Sequence, residues 1–343
     1  MHEKHQHRIR RGAAAVFAAL FCLSFCAAPA WAQESERTLI PLGKAVGIKL
    51  FADGVLIVET SELDSGGEMR SPAQDCGLKE GDLILRANNE KVQSTEHMQS
   101  ILQHNGDDAM VLAVKRGSRT MEVSITPVCC DDGAYRLGAW IRDSMAGIGT
   151  LTYYDPATGA YGALGHGITD VDTARLMPLA SGSIMETTVK AVRRGEKGQP
   201  GELKGDFSVQ RDVGTLWANT ESGIFGTVSD DSWLNGGEAL PVGRSEDVHT
   251  GPATILSTVN GGETEEYAVQ IEKLFSRDQP TRNMLIRVTD ERLLSTTGGI
   301  VQGMSGSPII QDGKLIGAVT HVLVNSPDTG YGIFIENMLE AAG

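Results

Sequence analysis

The chain has 343 residues, with 30 Lys+Arg against 44 Asp+Glu and a formal net charge of −14. Beyond the basic start of residues 1–32 no basic cluster is available to hold phosphates, which argues against nucleic acid as a partner and leaves the acidic surface a solubility role. The length exceeds one typical domain, and 41% hydrophobic residues suffice for packed cores. Aromatics are only 5% and glycines number 41, which together point to a turn-rich β protein.

Residues 1–32 differ in character from the rest. "HRIRRGAAAVFAALFCLSFCAAPAWAQ" has a basic start, an apolar run and small residues at Ala30 and Ala32, the pattern of a secretory signal peptide. The apolar stretch 12–32 is also about long enough to serve as an uncleaved membrane anchor. Phe25 before Cys26 argues against a lipidated cysteine. His2, His5 and His7 fall outside any expected fold and are set aside as metal ligands. Beyond the leader only Cys76, Cys129 and Cys130 remain, which is no disulfide framework.

Residues 37–128 read as short strands with one or two short helices. "AVGIKLF" and "GVLIVETSEL" have strand lengths and strand patterns. "LILRANNEKV" reads as a hairpin with Asn88 and Asn89 at its tip. From Ser94 to His104, Met98, Ile101 and Leu102 recur at helical spacing behind Ser94 as a cap. "AMVLAVKRGSRTMEVSITPV" closes the stretch as a last hairpin. "SPAQDCGL..GDLILRANNEKV" resembles a PDZ domain of the bacterial protease-associated type, with Cys76 where a small apolar residue is usual. That resemblance implies a peptide-binding groove in which backbone N–H groups hold a C-terminal carboxylate while the peptide adds a strand. It places Val46, Gly47 and Ile48 at the receiving strand.

"PVCCDDGAYRLG" is polar and turn-rich, so a boundary is expected near 129–136. A second domain over 134–343 then shows strands and glycine turns to about residue 334 and a short terminal helix from about Ile335. "IGTLTYYDPATGAYGALGHG" reads as a hairpin turning at Asp155–Gly159. The pattern predicts an all-β sandwich or a pair of closed barrels.

Within "GGIVQGMSGSPIIQDGKLIGAVTH", Ser305 lies among small, flexible residues just before an apolar strand. Such a serine is either a turn residue or a nucleophile on an exposed turn, for which Gly303 and Ser305 would supply two backbone N–H groups to an oxyanion. A base is then required. His97 and His104 belong to the first domain's helix, His249 lies in a polar loop, and His321 sits in "GAVTHVLV", where a hydrogen-bonded core histidine is the ordinary explanation. His166, between Gly165 and Gly167, is the candidate base. Asp290, Asp170 and Asp172 compete as the orienting acid, and spacing alone does not choose among them. No His/Asp/Glu ligand set occurs outside the leader, so neither a metal nor another cofactor is expected.

"TGGIVQGMSGSPIIQDGKLIGAVTHVLVNSPDTGYGIFIENML", "YGALGHGITD" and "TDERLLSTTGGIVQ" closely resemble the stage IV sporulation protein B peptidases, serine peptidases of endospore-forming bacteria with an N-terminal hydrophobic segment, a PDZ domain and a trypsin-like domain. The resemblance implies a chymotrypsin-like double β-barrel. It places the nucleophile on Ser305, the base on His166 and the acid on Asp290, with Ser307 departing from the glycine common in that fold. It also implies export to the forespore intermembrane space, cleavage of a membrane-associated regulator of an intramembrane metalloprotease, activation of a late mother-cell sigma factor, and self-cleavage within 33–60. The competing expectations are a general extracytoplasmic quality-control protease and a non-catalytic PDZ scaffold.

Overall fold

The computed structural model describes residues 37–234 and 237–343, and Thr38–Gly343 forms a single compact unit. The expected signal peptide or anchor lies outside the described residues. Fifteen of the strands are labelled here in chain order: β1 (Thr38–Thr60), β2 (Leu83–Ala87), β3 (Met110–Arg116), β4 (Arg119–Ile125), β5 (Ala139–Asp155), β6 (Ala160–Ala163), β7 (Ser181–Arg193), β8 (Glu202–Thr220), β9 (Gly223–Val228), β10 (Gly251–Asn260), β11 (Glu263–Leu274), β12 (Met284–Val288), β13 (Pro308–Gln311), β14 (Lys314–Leu323) and β15 (Ser326–Phe334). Three helices carry the argument: α1 (Thr95–Asn105), α2 (Glu291–Thr297) and α3 (Ile335–Ala342).

The PDZ part is built from the last residues of β1 with β2, β3 and β4, and from α1 packed on the sheet. The tip of the hairpin after β2 has Asn88 and Asn89 at φ 47 and 66, the left-handed pair a tight hairpin turn requires. Ser94 caps α1 by accepting the His97 N–H at 3.1 Å, and Met98, Ile101 and Leu102 are buried as their spacing predicts. Asp82 is fully buried yet ion-paired with Arg116 at 2.6 Å, which compensates the loss of hydration. Cys76 is partly buried, and its Sγ donates to the Ala73 carbonyl at 3.3 Å.

Two six-stranded barrels follow. In the first, β1, β5, β6, β9, β8 and β7 pair in sequence and the path returns from β7 to β1. In the second, β10, β11, β12, β15, β14 and β13 close on themselves. The second encloses Ile255, Val269, Ile271, Ile286, Val319 and their neighbours, all nearly without exposure. The fold is therefore mainly β, a PDZ-like domain joined to a double β-barrel.

The join differs from the expected one. Residues 129–136 are no free linker. Val128–Cys129 pairs with Tyr135–Arg136, and Tyr135 and Leu137 pack into the PDZ core. The connection is made by two long strands instead. β1 contributes Val46–Phe51 to the first barrel and Leu56–Thr60 to the PDZ sheet, and β5 runs beside it through both. Polar composition suggested a loop here, but a short local strand pair and the packing of Tyr135 and Leu137 on the PDZ core decide the outcome.

Candidate active site

His166 lies just beyond β6, in the first barrel. The chain turns out of the strand through Leu164 and Gly165, at φ 69 and 67. A Cβ on Gly165 would lie 2.9 Å from the Ile333 side chain and 3.0 Å from that of Thr320, so the bare glycine lets the second barrel close against this turn. The His166 Nδ1 is 2.8 Å from the Gly167 carbonyl oxygen. A carbonyl only accepts, so Nδ1 carries the hydrogen and Nε2 keeps its lone pair, the tautomer a general base needs. Burial lowers the His166 pKa below the ordinary imidazole value, which keeps the ring neutral.

Ser305 comes from the second barrel, in the turn before β13. Gly303 and Gly306 both have φ 98. A Cβ on Gly306 would stand 2.0 Å from the Thr150 carbonyl oxygen and 2.5 Å from the Leu164 nitrogen, so glycine alone lets this turn reach the first barrel beside the His166 loop. Thr150 holds it there. Its N–H donates to the Ser305 carbonyl at 3.0 Å and its hydroxyl to the Gly303 carbonyl at 2.7 Å. With both carbonyls tied back, the N–H groups of Gly303 and Ser305 have no backbone partner among the described residues. Two such donors flanking a serine are what an oxyanion hole requires. Ser307, where glycine is common, is buried and donates to the Ser257 hydroxyl at 3.0 Å, which satisfies it.

The Ser305 hydroxyl donates to the Thr320 carbonyl at 2.7 Å. It is thus parked on β14, and attack needs a rotation of its side chain towards the imidazole. Ser305, His166 and Gly303 share one cleft of about 450 Å³ between the barrels. Ser305 and His166 come together from positions 139 residues apart in the chain, as far as the sequence pattern could only suggest.

Asp290 is not in that cleft. It caps α2, accepting the Arg292 N–H at 2.9 Å and the Ala268 N–H at 3.3 Å, and it is ion-paired with the Arg292 guanidinium at 2.9 Å. Arg292 and these N–H groups hold its pKa down to about 2. Its oxygens are occupied, and the structure does not bring it to His166. The rivals do not replace it. Asp170 is buried, accepts from Thr173 and from the Asp172 N–H, and pairs with Arg142; Asp172 pairs with the same arginine at 2.8 Å. Among the described residues the group that fixes the His166 tautomer is the Gly167 carbonyl.

Val46, Gly47 and Ile48 also lie elsewhere than expected. In β1 they pair with Gly149, Ile148 and Gly147 of β5 on one edge and with Glu186, Met185 and Ile184 of β7 on the other. Both edges being filled, no peptide can add a strand there. The extended pattern of "AVGIKLF" was legible, but which barrel would claim it was not.

Sequence reasoning missed Thr150 and Thr320, whose roles are set by contacts across the two barrels, and it misjudged His321. That ring lines the cleft, with its centroid 5.0 Å from that of His166 and tilted by 36°. Its Nδ1 is buried without a hydrogen-bond partner. Burial first, then the neighbouring His166 and Arg282, depress its pKa to about 4. The other histidines stand apart: His97 meets Glu90 at 3.0 Å, His104 the Ser100 carbonyl at 2.7 Å and His249 Asp312 at 2.9 Å. No group of three or more His, Cys, Asp or Glu suited to a metal occurs among the described residues.

A serine with free oxyanion donors, in one cleft with a neutral histidine between two β-barrels, defines a serine peptidase, here joined to a PDZ domain. A family model described as SpoIVB peptidase S55 matches residues 133–339, and a PDZ model matches 65–116. The chain belongs to the SpoIVB peptidase S55 family. Among curated proteins it is similar to the regulator of sigma-W protease RasP of Bacillus subtilis, 33% identical over 112 residues, covering 32% of this chain and 24% of that protein. It is also similar to the probable protease eep of Enterococcus faecalis, 34% identical over 56 residues, covering 16% and 13%. The chain thus spans a quarter or less of the length of these relatives. Among solved structures it resembles the Rv3671c protease from M. tuberculosis in its active form, at 17% identity and TM-score 0.32 over 58% of this chain and 75% of that one. It also resembles the PDZ domain of the SdrC-like protein of Listeria monocytogenes, at 20% identity and TM-score 0.22 over 26% and 87%.

Proposed function

We propose that this serine peptidase is a sporulation endopeptidase that cuts a membrane-associated regulator holding an intramembrane metalloprotease inactive, leading to activation of a late mother-cell sigma factor. Membership of the SpoIVB peptidase family supports the setting. The single observation that carries the chemistry is the pair of unpartnered N–H groups at Gly303 and Ser305, beside a hydroxyl and a neutral imidazole. Ser305 Oγ attacks the scissile carbonyl while His166 Nε2 takes its proton. The Gly303 and Ser305 N–H groups hold the developing oxyanion. His166 then returns the proton to the leaving amine, and water repeats the sequence on the acyl-enzyme.

In this reading the PDZ groove is filled by the chain's own β5, and a peptide end is recognised only where that segment gives way. β5 is paired with β1 over Ala139–Arg142, while Asp143 accepts the Thr95 N–H at the start of α1 at 2.9 Å and Gln99 donates to the Tyr135 carbonyl at 3.2 Å. The segment therefore runs along α1 in the place where a PDZ domain receives a ligand strand, and Gly138, at φ 72, provides the turn before it. Export and membrane attachment through residues 12–32 remain part of the proposal. Self-cleavage, if it follows the family, falls within 33–60 but outside Lys44–Phe51 and Leu56–Thr60, which are held in strand pairing.

The test uses the intramembrane protease and its regulator co-reconstituted in vesicles with the full chain. Loss of intact regulator with the parent protein and its persistence with Ser305→Ala supports the reading. An untouched regulator, beside an unrelated unfolded protein cut by the same preparation, favours the quality-control alternative.

A further inference from the structure

The walls of the catalytic cleft share one property. In a chain with 22% charged residues, the described residues lining the cleft include no Asp, Glu, Lys or Arg. Met145 and Ile148 come from β5, Ile168 and Val171 from the loop after His166, Ile300 from the chain entering the Ser305 turn, and Val322 from β14. Most of these side chains are only partly covered, and Val171, at the mouth, is 79% exposed. An apolar side chain left in water at the edge of a catalytic cleft marks a surface that a ligand covers.

The geometry of attack says which part of the ligand meets these walls. The scissile carbonyl oxygen must reach the N–H groups of Gly303 and Ser305. The residue carrying that carbonyl then lies against Ile300–Gln302 on one side and Thr320–Val322 on the other, since Thr320 holds the attacking hydroxyl. A charged side chain placed there loses its water and finds no counter-charge among the residues lining the walls, whereas an apolar one gains by leaving water. We infer that the enzyme selects an uncharged, apolar residue on the acyl side of the scissile bond, and that Val322 is a specificity-determining residue. This rests on the serine-peptidase reading of Ser305.

The test takes the full chain and quenched peptides that differ only at that residue: Leu, Met, Lys or Asp. A matched set of diphenyl phosphonates bearing Leu, Lys or Asp side chains reads the same preference directly on Ser305 by mass spectrometry. The expected kcat/KM and labelling rate for Leu exceed those for Lys and Asp on the order of 100-fold or more. Val322→Asp brings a carboxylate to the wall and raises the Lys-to-Leu ratio at least about tenfold. Lys or Asp processed within about tenfold of Leu by the parent overturns the inference, as does an unmoved ratio in Val322→Asp. Failure of every phosphonate, with a small fluorophosphonate also leaving Ser305 unlabelled, would remove the nucleophile assignment instead, and the two failures are told apart by that last reagent.

Discussion

At the scale of single residues, the site makes His166 a base whose orientation comes from a carbonyl rather than a carboxylate. Replacing His166 with Ala should lower kcat/KM on the order of 10⁴-fold, comparable to Ser305→Ala, with the fold kept in both, as circular dichroism would show. Asp290→Asn should behave differently. It weakens a helix cap and an ion pair, so a stability loss of about 0.5–2 kcal/mol is expected, with a fall in rate under about tenfold and no change in the shape of the pH profile. A loss as deep as that of His166→Ala would show that Asp290 swings to the imidazole during turnover. The histidines also set the response to acid. Because burial lowers both pKa values, the native state resists protonation that the unfolded chain accepts near pH 6.5. Stability contributed this way is complete above about pH 6.5 and declines as pH falls towards about 4, where His321 charges. Melting curves across that window should show the decline, and His321→Gln should flatten it. The acidic limb of kcat/KM should likewise lie below pH 6.5, since His166 stays neutral to lower pH than a free imidazole.

At the scale of elements, the loop between His166 and β7 is held from the PDZ side. Arg142, on β5, pairs with buried Asp170 and with Asp172, and Arg175 donates to the Gly81 carbonyl at 3.4 Å. The same loop presents Ile168 and Val171 to the cleft. Arg142→Met leaves the Asp170 carboxylate buried without its cation, so a destabilisation of about 3 kcal/mol and at least a tenfold drop in kcat/KM are expected from chemical denaturation and peptide kinetics. These links explain what the sequence could and could not show. The α1 pattern, the Asn88–Asn89 tip and the turn at Asp155–Gly159 are local, and were readable from spacing and turn residues alone. Ser305 and His166 stood out because glycines bracket them. The parking of Ser305 on Thr320 and the tie from Thr150 depend on contacts between separate segments, for which spacing holds no signal, whereas the diversion of Asp290 is local, a cap on the helix that follows it and a pair with Arg292 two residues on. The Val46–Ile48 expectation failed for the same reason, since a strand's pattern does not state which sheet will take it.

At the scale of the whole molecule, β1 and β5 make the PDZ domain and the first barrel one continuous structure. The first barrel cannot close without Val46–Phe51, which precede the PDZ core in the chain. A fragment spanning 134–343 should therefore fail to fold, seen as a lack of cooperative melting, whereas a circular permutant that restores β1 should recover it. The PDZ part and the catalytic cleft are in this way connected by a shared strand, with Arg142 at the crossing. The most direct measurement of the central claim is fluorophosphonate labelling of the full chain, with the modified residue located by mass spectrometry. The account predicts a single adduct on Ser305, absent from Ser305→Ala, slowed by orders of magnitude in His166→Ala and retained in Asp290→Asn. An adduct on another serine, or equal labelling of Ser305 with and without His166, would contradict it.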